Sequence, residues 1–109
     1  MAILELWHVG VPVTTRRPGM VYSDAMKLWL NNPDEHPMKF EYLRFEEGGP
    51  FPEEMHFSVH VAYKVTDLDR HVADADRVVF GPVGGANPGD RMAFVVKEGV
   101  LIEYYEQAA

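Results

Sequence analysis

Two histidines and two glutamates recur at matching places in this chain of 109 residues. His8-Val9-Gly10-Val11-Pro12-Val13 is echoed by His60-Val61-Ala62-Tyr63-Lys64-Val65, and Phe40-Glu41-Tyr42 is echoed by Ile102-Glu103-Tyr104. Self-similarity of this kind marks a duplicated structural unit. Imidazole nitrogen and carboxylate oxygen together suit a divalent first-row cation such as Zn, Ni, Mn, Fe or Co. Two carboxylates offset the charge of the cation, and water can fill the remaining positions. An open position lets such a cation polarise a bound oxygen, so that an adjacent C–H acidifies. A glutamate that detaches can then act as general base. The candidate metal ligands are therefore His8, Glu41, His60 and Glu103, with Glu41 and Glu103 also the candidate catalytic groups.

For these four residues to meet, the elements that carry them must present them on one side. Ile3 to Val13 reads as a strand whose odd positions (Trp7, Val9, Val11, Val13) are large and apolar and whose even positions (His8, Gly10, Pro12) are polar or small. Successive strand residues face opposite ways, so His8 lies away from the large apolar side. Phe57 to Val65 alternates in the same sense, with His56, Ser58, His60 and Ala62 on the small or polar face. Met38 to Glu46 reads as a strand that places Glu41 with Lys39, Leu43 and Phe45, and Val100 to Glu106 as one that places Glu103 with Leu101 and Tyr105. If the two copies pair side by side, their sheets can curve around one cleft holding all four residues.

The remaining elements fill in between. Tyr22, Ala25, Met26, Trp29 and Leu30 recur at helical spacing, with Ser23 or Asp24 near the N-cap and Asn31-Asn32-Pro33 as a stop. Asp67 to Val72 reads as a short capped helix, and Arg77 to Phe80 and Arg91 to Lys97 as strands, with Lys97-Glu98-Gly99 a tight hairpin turn. Glu47 to Glu54 is the joint between the copies. The first copy is the shorter. Glu41 follows His8 by 33 positions and Glu103 follows His60 by 43, and about ten residues is one strand with its turn.

Composition bounds the classes open to the chain. The length suits one domain, 1–109, with a first module over about 1–52 and a second over about 53–109. A hydrophobic fraction of 47% supports a packed core. Ten basic against seventeen acidic residues, net −7, argue against nucleic acid as a partner, and Arg16-Arg17 is the sole basic cluster. With no cysteine, disulfides and thiolate metal sites are excluded. No apolar run approaches the ~20 residues of a membrane span, and the start lacks the pattern of a signal peptide. The expectation is a cytoplasmic protein with no membrane partner.

The first-strand stretch Trp7 to Val13, the second-copy stretch His60 to Asp69 and the ending Met92 to Glu103 resemble the vicinal oxygen chelate superfamily, which includes glyoxalase I, fosfomycin-resistance proteins and extradiol dioxygenases. The resemblance spans nearly the whole chain. It implies an α+β fold of paired βαβββ modules, here with the first truncated, forming a cup-shaped mixed or antiparallel sheet around a metal. It also implies ligands on the first and last strands of each module, where His8, Glu41, His60 and Glu103 stand. The expected function is a small metal-dependent, glyoxalase-like enzyme of lyase or isomerase type, acting on a small oxygenated substrate through metal-stabilised enediolate chemistry. The alternative is a non-catalytic protein of the same fold that binds or sequesters a small molecule.

Several residues carry a second reading. Glu41 is equally placed to pair with Lys39 or Arg44 at the surface. His56 and Tyr105 are candidates for lining the cleft, Tyr105 as a hydrogen-bonding partner of substrate. Arg44, opposite Glu41, is a candidate structural or subunit-contact group. The Gly/Pro-rich loop Gly81 to Asp90 reads as a turn, or as a lid over the cleft. His36 and His71 have no assigned role. A short chain with a truncated copy leaves sheet surface to be covered, so a homodimer is expected.

Overall fold

The computed structural model describes residues 3–109. Its elements, in order, are β1 (Leu4–Pro12), β2 (Val21–Ser23), β3 (Leu28–Leu30), a 3-10 turn at Pro33–Glu35, β4 (Phe40–Phe45), a 3-10 turn at Glu53–His56, β5 (His60–Val65), α1 (Leu68–Ala73), β6 (Arg77–Gly84), β7 (Arg91–Lys97) and β8 (Val100–Glu106). The chain is mostly sheet, and α1 is the one α-helix among the described residues. That agrees with an α+β class at the coarse level.

Contacts divide the chain into two compact units. One runs His8–His60; the other joins the chain up to Trp7 with Val61–Ala109. The boundary therefore passes through β1 and just inside β5, so that both repeat histidines belong to the first of these units.

In the His8–His60 unit the strand order is β2-β3-β4-β1. β1 and β4 are parallel, with Val9 opposite Phe40, Gly10 opposite Glu41 and Pro12 opposite Leu43. β3 is antiparallel to both β4 and β2. Opposed residues share a face, so His8, Gly10, Glu41, Leu43, Leu28 and Leu30 lie on one side, and Val9, Val11, Phe40, Tyr42 and Trp29 on the other. The first side is the buried one: Leu28 and Leu43 are enclosed together with Phe51 and Met55, and Phe45 meets both Phe51 and His56.

Where a helix was expected over Tyr22 to Leu30, the structure has the β2–β3 hairpin. The expected cap bond does form, since the Met26 amide donates to Ser23 Oγ at 3.2 Å, but the turn is not continued into a helix. Instead Lys27 takes a positive φ of 53°, and Leu28 and Leu30 alternate with Trp29 along β4. The eleven residues between Gly19 and the Asn31-Asn32-Pro33 stop are too few to offset helix nucleation, whereas β3 gains a ready partner in β4 and β2 one in β3. Asn31 then completes the edge. Its Oδ1 accepts from the Tyr42 amide at 2.6 Å and its Nδ2 donates to the Phe40 carbonyl at 3.0 Å, as a neighbouring backbone would.

The other unit has the order β5-β8-β7-β6, with β6–β7 and β7–β8 antiparallel. Its core is Val65, Leu68, Ala93, Val95 and Tyr104, with Tyr63, Val72, Ala75 and Ile102 packed against it. Leu68 brings α1 onto the sheet. The helix is held at its start by Glu106 Oε2, which accepts from the Leu68 amide at 2.9 Å, and by a two-pronged Arg91–Asp69 pair at 2.9 and 3.1 Å. The Glu98-Gly99 turn has positive φ at both residues, 53° and 80°; this is the conformation a two-residue hairpin requires. β5 starts at His60 rather than Phe57, because the 3-10 turn Glu53–His56 precedes it.

Candidate metal centre

The His8–His60 unit brings two of the expected ligands, His8 and His60, together and sets Glu41 beside His8. His8 and His60 are each 2% exposed, their ring centroids lie 5.7 Å apart, and each offers a nitrogen within 4.8 Å of the other's. Glu41 Oε1 lies 3.3 Å from His8 Nε2. The surface pairings read for Glu41 do not form, since Lys39 pairs with Asp34 and Arg44 with Glu46. Strand geometry explains the meeting: Glu41 opposes Gly10, and His8 is two residues from Gly10 on the same face.

Gly10 supplies the room. A Cβ built on it would lie 2.0 Å from His60 Cε1, 2.4 Å from Nε2 and 2.5 Å from Nδ1. The imidazole of His60 therefore lies directly on the backbone of β1, in the volume that any side chain would fill. A glycine inside a strand weakens it and marks a close approach; here the approaching group is the second repeat histidine. This role was not read from the sequence, although Gly10 set against Ala62 in the echoed copy was a signal for it.

The donor types can be compared with those a cation takes. The two imidazoles and the carboxylate are nitrogen and oxygen donors of the kind that hold Zn, Fe, Ni, Mn or Co.

Glu103 belongs to the other unit, buried on β8 at 6% exposure and opposite Phe94 of β7. A carboxylate withheld from water is retained only where charge or hydrogen bonds compensate it. His56 stacks on Phe45 at 4.2 Å between centroids and 14° between planes, four positions along β4 from Glu41.

Tyr105 does not have a hydroxyl to offer a substrate. Its Oη donates to Asp90 Oδ2 at 2.5 Å and accepts from the Ala86 amide at 2.8 Å. This hydrogen bond is the main reason the Asp90 carboxyl is held below the usual aspartate range, with the Ala108 amide on Oδ1 adding to it. Burial, first, and Asp90, second, push the Tyr105 phenol up. The Gly85 amide donates to the Asp90 carbonyl, and the Asp90 amide to that of Asn87. The loop read as a turn or lid is thus a tied turn. β6 runs on to Gly84 and shortens it further. His36 stacks on Phe40, and His71 lies against Tyr104.

No protein-family description, curated protein or solved structure matches this chain. Among the described residues no helix is long and apolar enough to cross a membrane.

Proposed function

We propose that the protein is a small metal-dependent enzyme of glyoxalase-like lyase or isomerase type, built from paired βαβββ modules, and that it acts on a compact substrate with two neighbouring oxygens. The observation that carries this reading is the buried His8–His60 pair with the Glu41 carboxylate at 3.3 Å from His8. The succession β5-α1-β6-β7-β8 supports the module in the second copy, and the β2–β3 hairpin replaces the helix in the first. His8, His60 and Glu41 hold the cation. Glu103 is proposed as a further ligand on the repeat alone, as the counterpart of Glu41.

A bound cation supplies the positive charge that acidifies a C–H beside a coordinated oxygen. The protein does the rest. Glu41 is largely enclosed, with 14% of its side chain exposed, and its carboxylate accepts the proton as the C–H bond breaks. The Glu41 carboxyl exchanges that proton with solvent and protonates the adjacent carbon in an isomerisation, or the electron pair expels a leaving group in an elimination. His8 and His60 keep the charge in place, and Gly10 fixes where His60 can sit.

Two measurements test the reading. Titration with Zn, Ni, Mn, Fe and Co should show one divalent ion per chain, lost in His8→Ala and His60→Ala. Incubating the loaded protein with small α-hydroxycarbonyl compounds in heavy water should place deuterium on the substrate carbon, and Glu41→Gln should abolish that exchange. Metal binding without exchange on any such compound would reject the catalytic step. If neither purified nor reconstituted protein holds a divalent ion, the enzyme reading fails and a small-molecule binding protein replaces it.

A further inference from the structure

The two repeat glutamates have different neighbours along their strands. Glu103 lies within β8 between Ile102 and Tyr104, and β7 runs alongside with Val95 opposite Ile102 and Ala93 opposite Tyr104. A full strand therefore holds the backbone on both sides of that glutamate. In the shorter first copy β3 pairs with β4 only over Leu28–Leu30, and its last pair is Leu30 with Leu43. It stops short of Glu41. On the other edge of β4 the Lys39 and Leu43 carbonyls accept from the Val9 and Val13 amides at 2.9 Å. Backbone groups alternate sides along a strand, so the Phe40 carbonyl and the Tyr42 amide face away from β1, towards the gap that β3 leaves.

Asn31 fills that gap. Its Oδ1 accepts from the Tyr42 amide at 2.6 Å and its Nδ2 donates to the Phe40 carbonyl at 3.0 Å. The two bonded atoms belong to the peptide groups immediately before and after the Glu41 α-carbon. One side-chain amide thus pins both, and with them the direction in which the Glu41 side chain leaves the strand. Among side chains of this length only asparagine offers an acceptor and a donor side by side. Asn31 is itself held from both directions. β3 is paired just before it, and just after it Asn32 Oδ1 accepts from the Asp34 amide at 3.0 Å, in a 3-10 turn whose Pro33 is buried. The side chain so aimed brings Glu41 Oε1 to 3.3 Å from His8 Nε2.

We propose that Asn31 is a positioning residue for Glu41. It takes the place of the strand missing beside Glu41 in the first copy and holds the carboxylate where it meets His8 and the cation. It touches neither cation nor substrate itself. The inference rests on the reading of Glu41 as ligand and base. Groups that orient a metal ligand in this way change metal affinity by about 10–100-fold when they are removed.

The test is calorimetric titration of the full chain with Zn, Ni, Mn, Fe and Co, for the wild type, Asn31→Ala, Glu41→Gln and the double variant. Asn31→Ala should bind about 10–100-fold more weakly than the wild type, and should weaken binding no further once Glu41 is already Gln. A purely structural role would lower affinity equally in both backgrounds. That result overturns the proposal, as does an Asn31→Ala protein that binds like the wild type. Metal-free crystals of Asn31→Ala give a second readout: the Glu41–His8 contact should be lost while β3 stays paired with β4. A contact kept at 3.3 Å overturns the proposal. A wild type that takes up none of the five ions rejects the metal reading alone, and the metal-free crystals then decide the role of Asn31. Asn31→Asp keeps the acceptor for Tyr42 and loses the donor to Phe40, and it replaces the alanine variant in both measurements if that variant does not fold.

Discussion

Replacing Gly10 by alanine should evict the His60 imidazole from the proposed metal centre. The substitution adds one methyl, whose carbon would lie 2.0 Å from His60 Cε1. Carbon atoms rest about 3.5–4.0 Å apart, so the ring must withdraw by roughly 1.5 Å or more. A bond of ~2.0–2.1 Å to a cation does not survive that displacement. The neighbours of Gly10 cannot give way instead, since its backbone is paired in register with Glu41. Metal affinity should therefore fall by more than the ~10–100-fold seen when only a supporting group is disturbed.

The effect on stability has a diagnostic sign. Gly10 does not have a positive φ, so elsewhere in a strand the change would stabilise by ~0.4–1 kcal/mol through the unfolded state. Here overpacking at a cost of about 1–3 kcal/mol opposes it, and the variant should be less stable overall. In a His60→Ala background the clash is gone, and the same Gly10→Ala change should become neutral or stabilising. Calorimetric metal titration and denaturant unfolding of the four proteins in this cycle check both statements. A Gly10→Ala protein that binds metal like the wild type, or that loses stability equally with and without His60, would refute the reasoning.

Further outcomes follow from the scaffold. Tyr105→Phe removes the hydroxyl that holds the Asp90 carboxyl low, so it should lower Tm near neutral pH. Because the folded-state pKa of Asp90 is depressed, that stabilisation is full above the ordinary aspartate value of about 3.9 and fades as pH falls through the folded-state value. Melting curves of the two proteins should converge in acid. Asn31→Ala leaves the Tyr42 amide and Phe40 carbonyl without their side-chain partner, and urea unfolding should show a loss of ~1–3 kcal/mol. Leu68→Ala empties a fully buried position under α1, and the same measurement should give ~2–5 kcal/mol.

What could be read from the sequence was what alternation records. β1 alternates large apolar residues with smaller or polar ones, so its extent and the side on which His8 lies were legible from a period of two. The Glu98-Gly99 turn was legible from its local chemistry and α1 from its place in the chain, although Asp67 makes no side-chain cap bond. The stretch Tyr22 to Leu30 misled because it satisfies two periods at once. Met26, Trp29 and Leu30 fit a helical stripe, while Leu28, Trp29 and Leu30 alternate, and only pairing with β4 decides between them. Tyr105 misled for another reason: parity put it on the face of Glu103, but its hydroxyl is taken by Asp90, fifteen positions earlier in the sequence. Long-range polar pairing of that kind leaves no periodic trace. The meeting of His8 with Glu41 rests likewise on a parallel β1–β4 register, and no local pattern specifies such a register.

His8, His60 and Glu41 are proposed to hold one divalent cation. Anomalous diffraction at the metal absorption edge, from crystals of the reconstituted protein, tests it most directly. A single peak is expected, bonded to a ring nitrogen of His8, a ring nitrogen of His60 and the Glu41 carboxylate at about 2.0–2.2 Å. A peak bonded elsewhere, or crystals of reconstituted protein with no ion between the two histidines, would contradict it.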